Sequence, residues 1–97
     1  MEQIFSKPML YGGQCIFSLQ GRNAWALSAL VLAGENGCSP IDNPGPRWSA
    51  YVHFLRHELG LSIETISEAH FGQFPGYHAR YVLRSVVAIV EGASDAA

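Results

Sequence analysis

Charge is scarce in this chain: only 14 % of its residues are Asp, Glu, Lys or Arg, and eight acidic against six basic side chains leave a formal charge of −2. That balance excludes a protein held on nucleic acid by bulk positive charge alone. Cysteine is scarcer still. Cys15 and Cys38 are too few for a disulfide scaffold and stand at no metal-ligand spacing, so reduced, buried thiols are expected. Long apolar runs are missing too. No segment approaches the ~18 residues that read as a membrane span, and the opening MEQIFSKPMLYGGQ has no basic stretch followed by an apolar one. The expectation is a soluble, cytoplasmic chain with no membrane partner.

Catalytic signatures are absent as well. No Ser, His and acid arrangement, no spaced carboxylate pair and no phosphate-binding glycine loop can be read, since Gly12-Gly13 alone is far too weak. His53 and His57 stand in HFLRH, with Phe54 where the zinc-protease spacing needs Glu, and Arg56 where its inverse form needs Glu. The chain is therefore expected to be no enzyme and to carry neither metal nor cofactor.

What is present is apolar: 48 % of the 97 residues. A chain of this length buries on the order of 60 to 70 % of its unfolded surface, enough for one core. Its charge is unevenly spread. Between Arg47 and Arg84 four arginines face three glutamates and all four histidines are present, so this stretch is mildly basic and grows more so below neutrality.

The first dozen residues show no period, and residues 1–13 are read as a flexible segment ending at Gly12-Gly13. Cys15, Phe17 and Leu19 then alternate with Gln14, Ile16 and Ser18 as a short strand does. NAWALSALVLA, residues 23–33, contains no internal Gly or Pro and places Leu27, Leu30 and Val31 on one helical face, with Gly34 and Gly37 as stops. The stretch SPIDNPGPRW begins a helix at Ser39, Pro40 and Asp42 and stops it with Pro44, Gly45 and Pro46, which leaves one turn. From Arg47 a long helix follows: Trp48, Val52, Leu55 and Leu59 form its apolar stripe, and Gly60 is its C′ residue. Residues 61–69 and 79–85 read as two strands joined by the aromatic loop HFGQFPGYH. Residues 91–97 read as a disordered tail, which leaves 14–90 as the domain.

This order is that of an α+β winged helix-turn-helix: a three-helix core whose second helix is very short, followed by a C-terminal β-hairpin wing. The run CSPIDNPGPRWSAYVHFLRHELGLSIETI, continued by FPGYHARYVLRS, resembles the small winged helix-turn-helix domains of bacteriophages, prophages and related bacterial loci. His53, Leu55 and Arg56 match the end of the recognition helix in those domains, and Gly60, Ile63, Glu64 and Thr65 match the entry to the wing. The resemblance covers roughly Leu19 to Arg84 and implies a DNA-binding, regulatory role.

Geometry assigns candidate contacts on that reading. Arg47, Ser49 and Ala50 in the first turn of the long helix, and His53 one turn on, face base edges or phosphates, while Arg56 and His57 face phosphates. In the wing, Gln73, Tyr77, His78 and Arg80 reach the backbone of double-stranded DNA. A rival reading makes the chain an adaptor that grips another protein through Phe54 on the third helix and through the wing loop, where Phe71, Phe74 and Tyr77 stand. Four arginines make few phosphate contacts, so a homodimer is expected to double them. Val86 to Val90 and the strand at Cys15 to Leu19 are its candidate surface, unless Val86 to Val90 folds back on its own core.

Overall fold

The computed structural model describes residues 2–45 and 47–90. Its first strand, β1 (Glu2–Pro8), lies in the segment expected to be flexible, and pairs antiparallel with β2 (Gln14–Gln20), with Phe5 opposite Phe17. The flexible reading is thereby corrected for Glu2–Pro8. β1 is the middle strand of a three-stranded sheet in the order β2-β1-β5. A strand flanked on both edges and half-covered along most of its length shows no clean alternation, which is why it escapes a search for period two. β2 sits at the edge and does alternate, with Cys15, Phe17 and Leu19 turned inward.

Helix α1 (Gly21–Ala33) starts two residues before the expected Asn23 and turns Ala24, Ala26, Leu27 and Leu30 into the core; Val31 is half-buried. A short 3-10 turn, Gly34–Asn36, follows. Gly37 is then indispensable: at φ +69 a side chain is strained, and its Cβ would lie 2.6 Å from the Tyr81 carbonyl oxygen. This close approach lets Cys38 and Tyr81 exchange two backbone hydrogen bonds of 2.8 Å.

The expected three-helix core is corrected here, because among the described residues there are two α-helices. In place of the expected second helix, residues 39–43 form a single hydrogen-bonded turn. The Asn43 N–H donates to the Ser39 carbonyl (2.8 Å) and the Asp42 N–H to the Ser39 hydroxyl (3.2 Å), as a capped helix start would, and Pro44 then blocks its extension. The Asn43 carbonyl is not left unpaired: it accepts the Trp48 indole N–H at 2.7 Å. The turn thus fixes the entry to α2 (Trp48–Leu59), whose Trp48, Val52 and Leu55 are buried and whose C-terminus is closed by Gly60 at φ +65.

β3 (Ile63–His70) and β4 (Gly76–Leu83) form a hairpin with Ile63 opposite Leu83 and His70 opposite Gly76. Its tip is residues 71–75, shorter than the nine-residue loop expected, because His70, Tyr77 and His78 continue the ladder. β5 (Ala88–Ile89) returns to β1, and the Val90 N–H donates to the Ile4 carbonyl at 2.9 Å. Ala88–Ile89 thus folds back on the chain's own sheet, as the alternative for Val86 to Val90 expected, while Val86 stays exposed. The tail at 91–97 lies outside the described residues.

The core joins these pieces. Phe5 stacks on Phe17, and Trp48 stacks on Tyr81 and meets Trp25 at 5.2 Å. Leu27, Leu30, Val52 and Leu55 fill the space between. Leu59, expected on the apolar stripe, is half-buried and packed against the core, as is Leu83. Cys38 is buried, and burial pushes its thiol up to about 11, against the opposing charge of Arg80, so it is inert at neutral pH.

Candidate nucleic-acid interface

The outer face of α2 presents Ser49, His53 and His57 to solvent, with Ala50 half-buried beside them. These residues stand one helical turn apart, on the side opposite the Trp48, Val52 and Leu55 stripe. The imidazole rings of His53 and His57 lie 4.2 Å apart, centre to centre. Arg47 precedes them at the N-cap position, exposed, with a left-handed backbone at φ +69. Its carbonyl still accepts the Ala50 N–H at 3.0 Å and the Tyr51 N–H at 3.3 Å, so the first turn is closed despite the strain. A left-handed conformation costs a non-glycine residue roughly 1–2 kcal/mol. Among the described residues the Arg47 side chain makes no hydrogen bond or ion pair.

Most other cations are committed inside the molecule. Arg56, expected at phosphates, turns to β3 and donates to the Ile63 carbonyl (3.2 and 2.5 Å) and the Thr65 hydroxyl (2.7 Å). Arg80, expected at the DNA backbone, donates to both Glu68 carboxylate oxygens (2.8 Å each), to Asp42 (2.6 Å) and to the Asn36 carbonyl (3.0 Å). Arg84 pairs with Glu64 at 2.6 Å, and Lys7 donates to the Leu59 carbonyl at the end of α2 at 2.9 Å. Arg22 lies over the Trp25 ring.

His78 is also turned inward. One ring nitrogen, Nε2, lies 2.9 Å from Glu68 and the other, Nδ1, lies 2.9 Å from His70 Nδ1, with the His78 side chain only 10 % exposed. A hydrogen bond between two Nδ1 atoms requires one to donate and the other to accept. The hydrogen bonds from Arg80, followed by that from His78, hold the Glu68 carboxyl down at about 2. Arg56, His78 and Arg80 thus have partners within the molecule. Arg47, Ser49, His53 and His57 remain together on α2, while Gln73 and Tyr77 are exposed at the far end of the hairpin.

Sequence reading missed the chain from His70 through His78, Glu68 and Arg80 to Asp42. Part of it was detectable: His78 and Arg80 share one strand face, and the register sets Glu68 opposite His78. Asp42, supplied by the turn between the helices, carried no such signal. Phe54, expected on the outer face, is half-buried against the core. The hairpin tip goes the other way: Phe71 and Phe74 are 87 % and 80 % exposed.

A family model for the winged helix domain matches residues 16–93, most of the chain. No curated protein and no solved structure matches it.

Proposed function

Since the chain belongs to the winged helix domain family, which points to a DNA-binding regulator in general, we propose that it binds double-stranded DNA through the N-terminal end of α2 and the tip of the β3–β4 hairpin. Winged helix domains are typically non-enzymatic DNA-binding modules, and a role in transcription of the phage or prophage kind is the reading that the motif resemblance supports. The observation that carries the site is Arg47: an exposed cation in a strained left-handed conformation, at the start of a helix whose outer face is Ser49, Ala50, His53 and His57. Backbone strain of this kind persists where the surroundings enforce it and clusters at functional sites. Arg47 takes phosphate, Ser49 and His53 face base edges, and His57 sits beside the backbone. Gln73, Phe71 and Phe74 at the tip, with Tyr77 beside them at the start of β4, approach the neighbouring groove, where apolar side chains wedge against base steps. With the other cations engaged internally, one copy makes few phosphate contacts, and pairing of two copies supplies the rest.

Repeated selection of bound duplexes from a random-sequence library tests this reading. A recovered consensus whose binding is lost in Arg47→Ala supports it; a final pool indistinguishable from the starting one contradicts it. The exposed Phe71 and Phe74 favour one rival, an adaptor that grips a protein with the hairpin tip. On that reading Phe71→Ser and Phe74→Ser abolish partner capture, Arg47→Ala does not, and capture is indifferent to salt.

A further inference from the structure

Helix α1 is apolar on both sides. Its core face is accounted for by Ala24, Ala26, Leu27 and Leu30, yet the opposite face carries the half-buried Trp25, Ser28 and Ala29 and the 80 % exposed Leu32 at i, i+3, i+4 and i+7. Surface helices ordinarily turn a charged face outward, and one that is apolar all round is covered. Two depressions, of about 460 and 440 Å³, flank the Trp25 and Ser28 ridge, the first reaching Gln3 and Arg22 and the second reaching Leu32 and Asn43. Trp25 is rigid as well as apolar. It rests on Trp48 and Tyr51, and Gly45 lies so close beneath it that a Cβ there would come within 2.8 Å of the ring.

The order of these residues is self-complementary. If two copies of α1 lie antiparallel about a two-fold axis between Ser28 and Ala29, Trp25 of one meets Leu32 of the other, and Ser28 meets Ala29. Large side chains then oppose large ones at the ends, and small ones at the centre let the backbones approach. The same register brings Arg22 of one copy level with Glu35 of the other, at both ends of the pair. Arg22 and Glu35 are exposed, and among the described residues neither forms an ion pair within its own copy. An isologous contact requires such reciprocity, in which each residue meets its complement twice.

We propose that the outer face of α1 is the homodimer interface of this protein, packed antiparallel through Trp25, Ser28, Ala29 and Leu32 and closed at each end by an Arg22–Glu35 ion pair. This names the surface for the pairing invoked above, but rests on α1 alone, so DNA does not enter its test. A helix of 13 residues is about 20 Å long. One such face covers less than the roughly 800 Å² per partner of a standard interface, so the dimer is reversible and concentration-dependent.

Sedimentation equilibrium of the full chain, from micromolar to a few hundred micromolar, is the test, with circular dichroism confirming that each variant folds. Wild type shows a monomer–dimer equilibrium. Leu32→Glu, at a site already exposed in the monomer, raises the dissociation constant at least about 30-fold, because it places a charge against the partner's Trp25 ring. Arg22→Glu and Glu35→Arg each weaken association by bringing like charges together, and the double variant restores it. A wild-type monomer throughout the range overturns pairing altogether. A dimer that survives Leu32→Glu places pairing on another surface and overturns the assignment to α1. Failure of the double variant to recover overturns the antiparallel register.

Discussion

Asp42 and Arg80 meet at 2.6 Å, joining the turn that starts at Ser39 to the middle of β4. Arg80 is shared with Glu68 across the hairpin, so one guanidinium fixes the hairpin to the segment that sets the entry of α2. On the proposed reading this pair holds the two DNA-facing elements at a constant angle.

The Glu68 carboxyl reports that arrangement. Its value of about 2, against the usual 4.5, is due first to hydrogen bonds from Arg80 and then to the bond from His78. Because the folded value lies below the unfolded one, the stabilisation is fully present above pH 4.5 and is lost as pH falls toward 2. An NMR titration of the Glu68 side chain should find its midpoint near 2 in the wild type, and Arg80→Ala should move it up toward the ordinary carboxylate range. An unmoved midpoint contradicts the pairing.

Gly37→Ala tests the close approach that seats the Cys38–Tyr81 bridge. The alanine must adopt φ +69 and place its Cβ against the Tyr81 carbonyl oxygen. A loss of about 2 kcal/mol or more is expected in denaturant unfolding; a loss below about 0.5 kcal/mol, the range of an ordinary surface substitution, would mean that the bridge is not required.

Leu55→Ala removes a fully buried side chain where α2 packs on α1 and the hairpin base. Chemical denaturation should show a loss of about 2 to 5 kcal/mol.

How much of this was legible follows from where the partners come from. α2 was legible from Trp48 to Gly60 because its stripe and its stop are local, and Ser39 capped its turn as its hydroxyl implied. β1 was not, because most of its positions are half-buried whichever face they lie on, which leaves no period to read. Arg56 and Arg80 read as free cations because their acceptors, the Ile63 carbonyl, the Asn36 carbonyl and Asp42, are brought to them only by the fold. The strain at Arg47 had no local sign, since nothing in PRW marks a left-handed arginine. Phe54 was misplaced because it lies at the margin of the stripe, where a small rotation of the helix decides between solvent and core.

Arg47→Gly separates strain from function. Glycine adopts φ +69 without the cost that arginine bears, while enlarging the freedom of the unfolded chain, so stability should rise by about 0.5 kcal/mol. Duplex affinity should fall at the same time. A variant that is less stable and binds equally well would remove Arg47 from the site.

Salt dependence of duplex binding, followed by fluorescence anisotropy for wild type and Arg47→Ala side by side, tests the interface on α2 most directly. Each phosphate contact contributes about 0.9 to the slope of log affinity against log salt. Affinity should fall as salt rises, and Arg47→Ala should reduce the slope by about 0.9 per bound copy, whereas Arg84→Ala, which breaks only the Glu64 pair, should leave it unchanged. Equal slopes for wild type and Arg47→Ala, or no salt-dependent binding at all, would contradict the placement of the DNA contact at the start of α2.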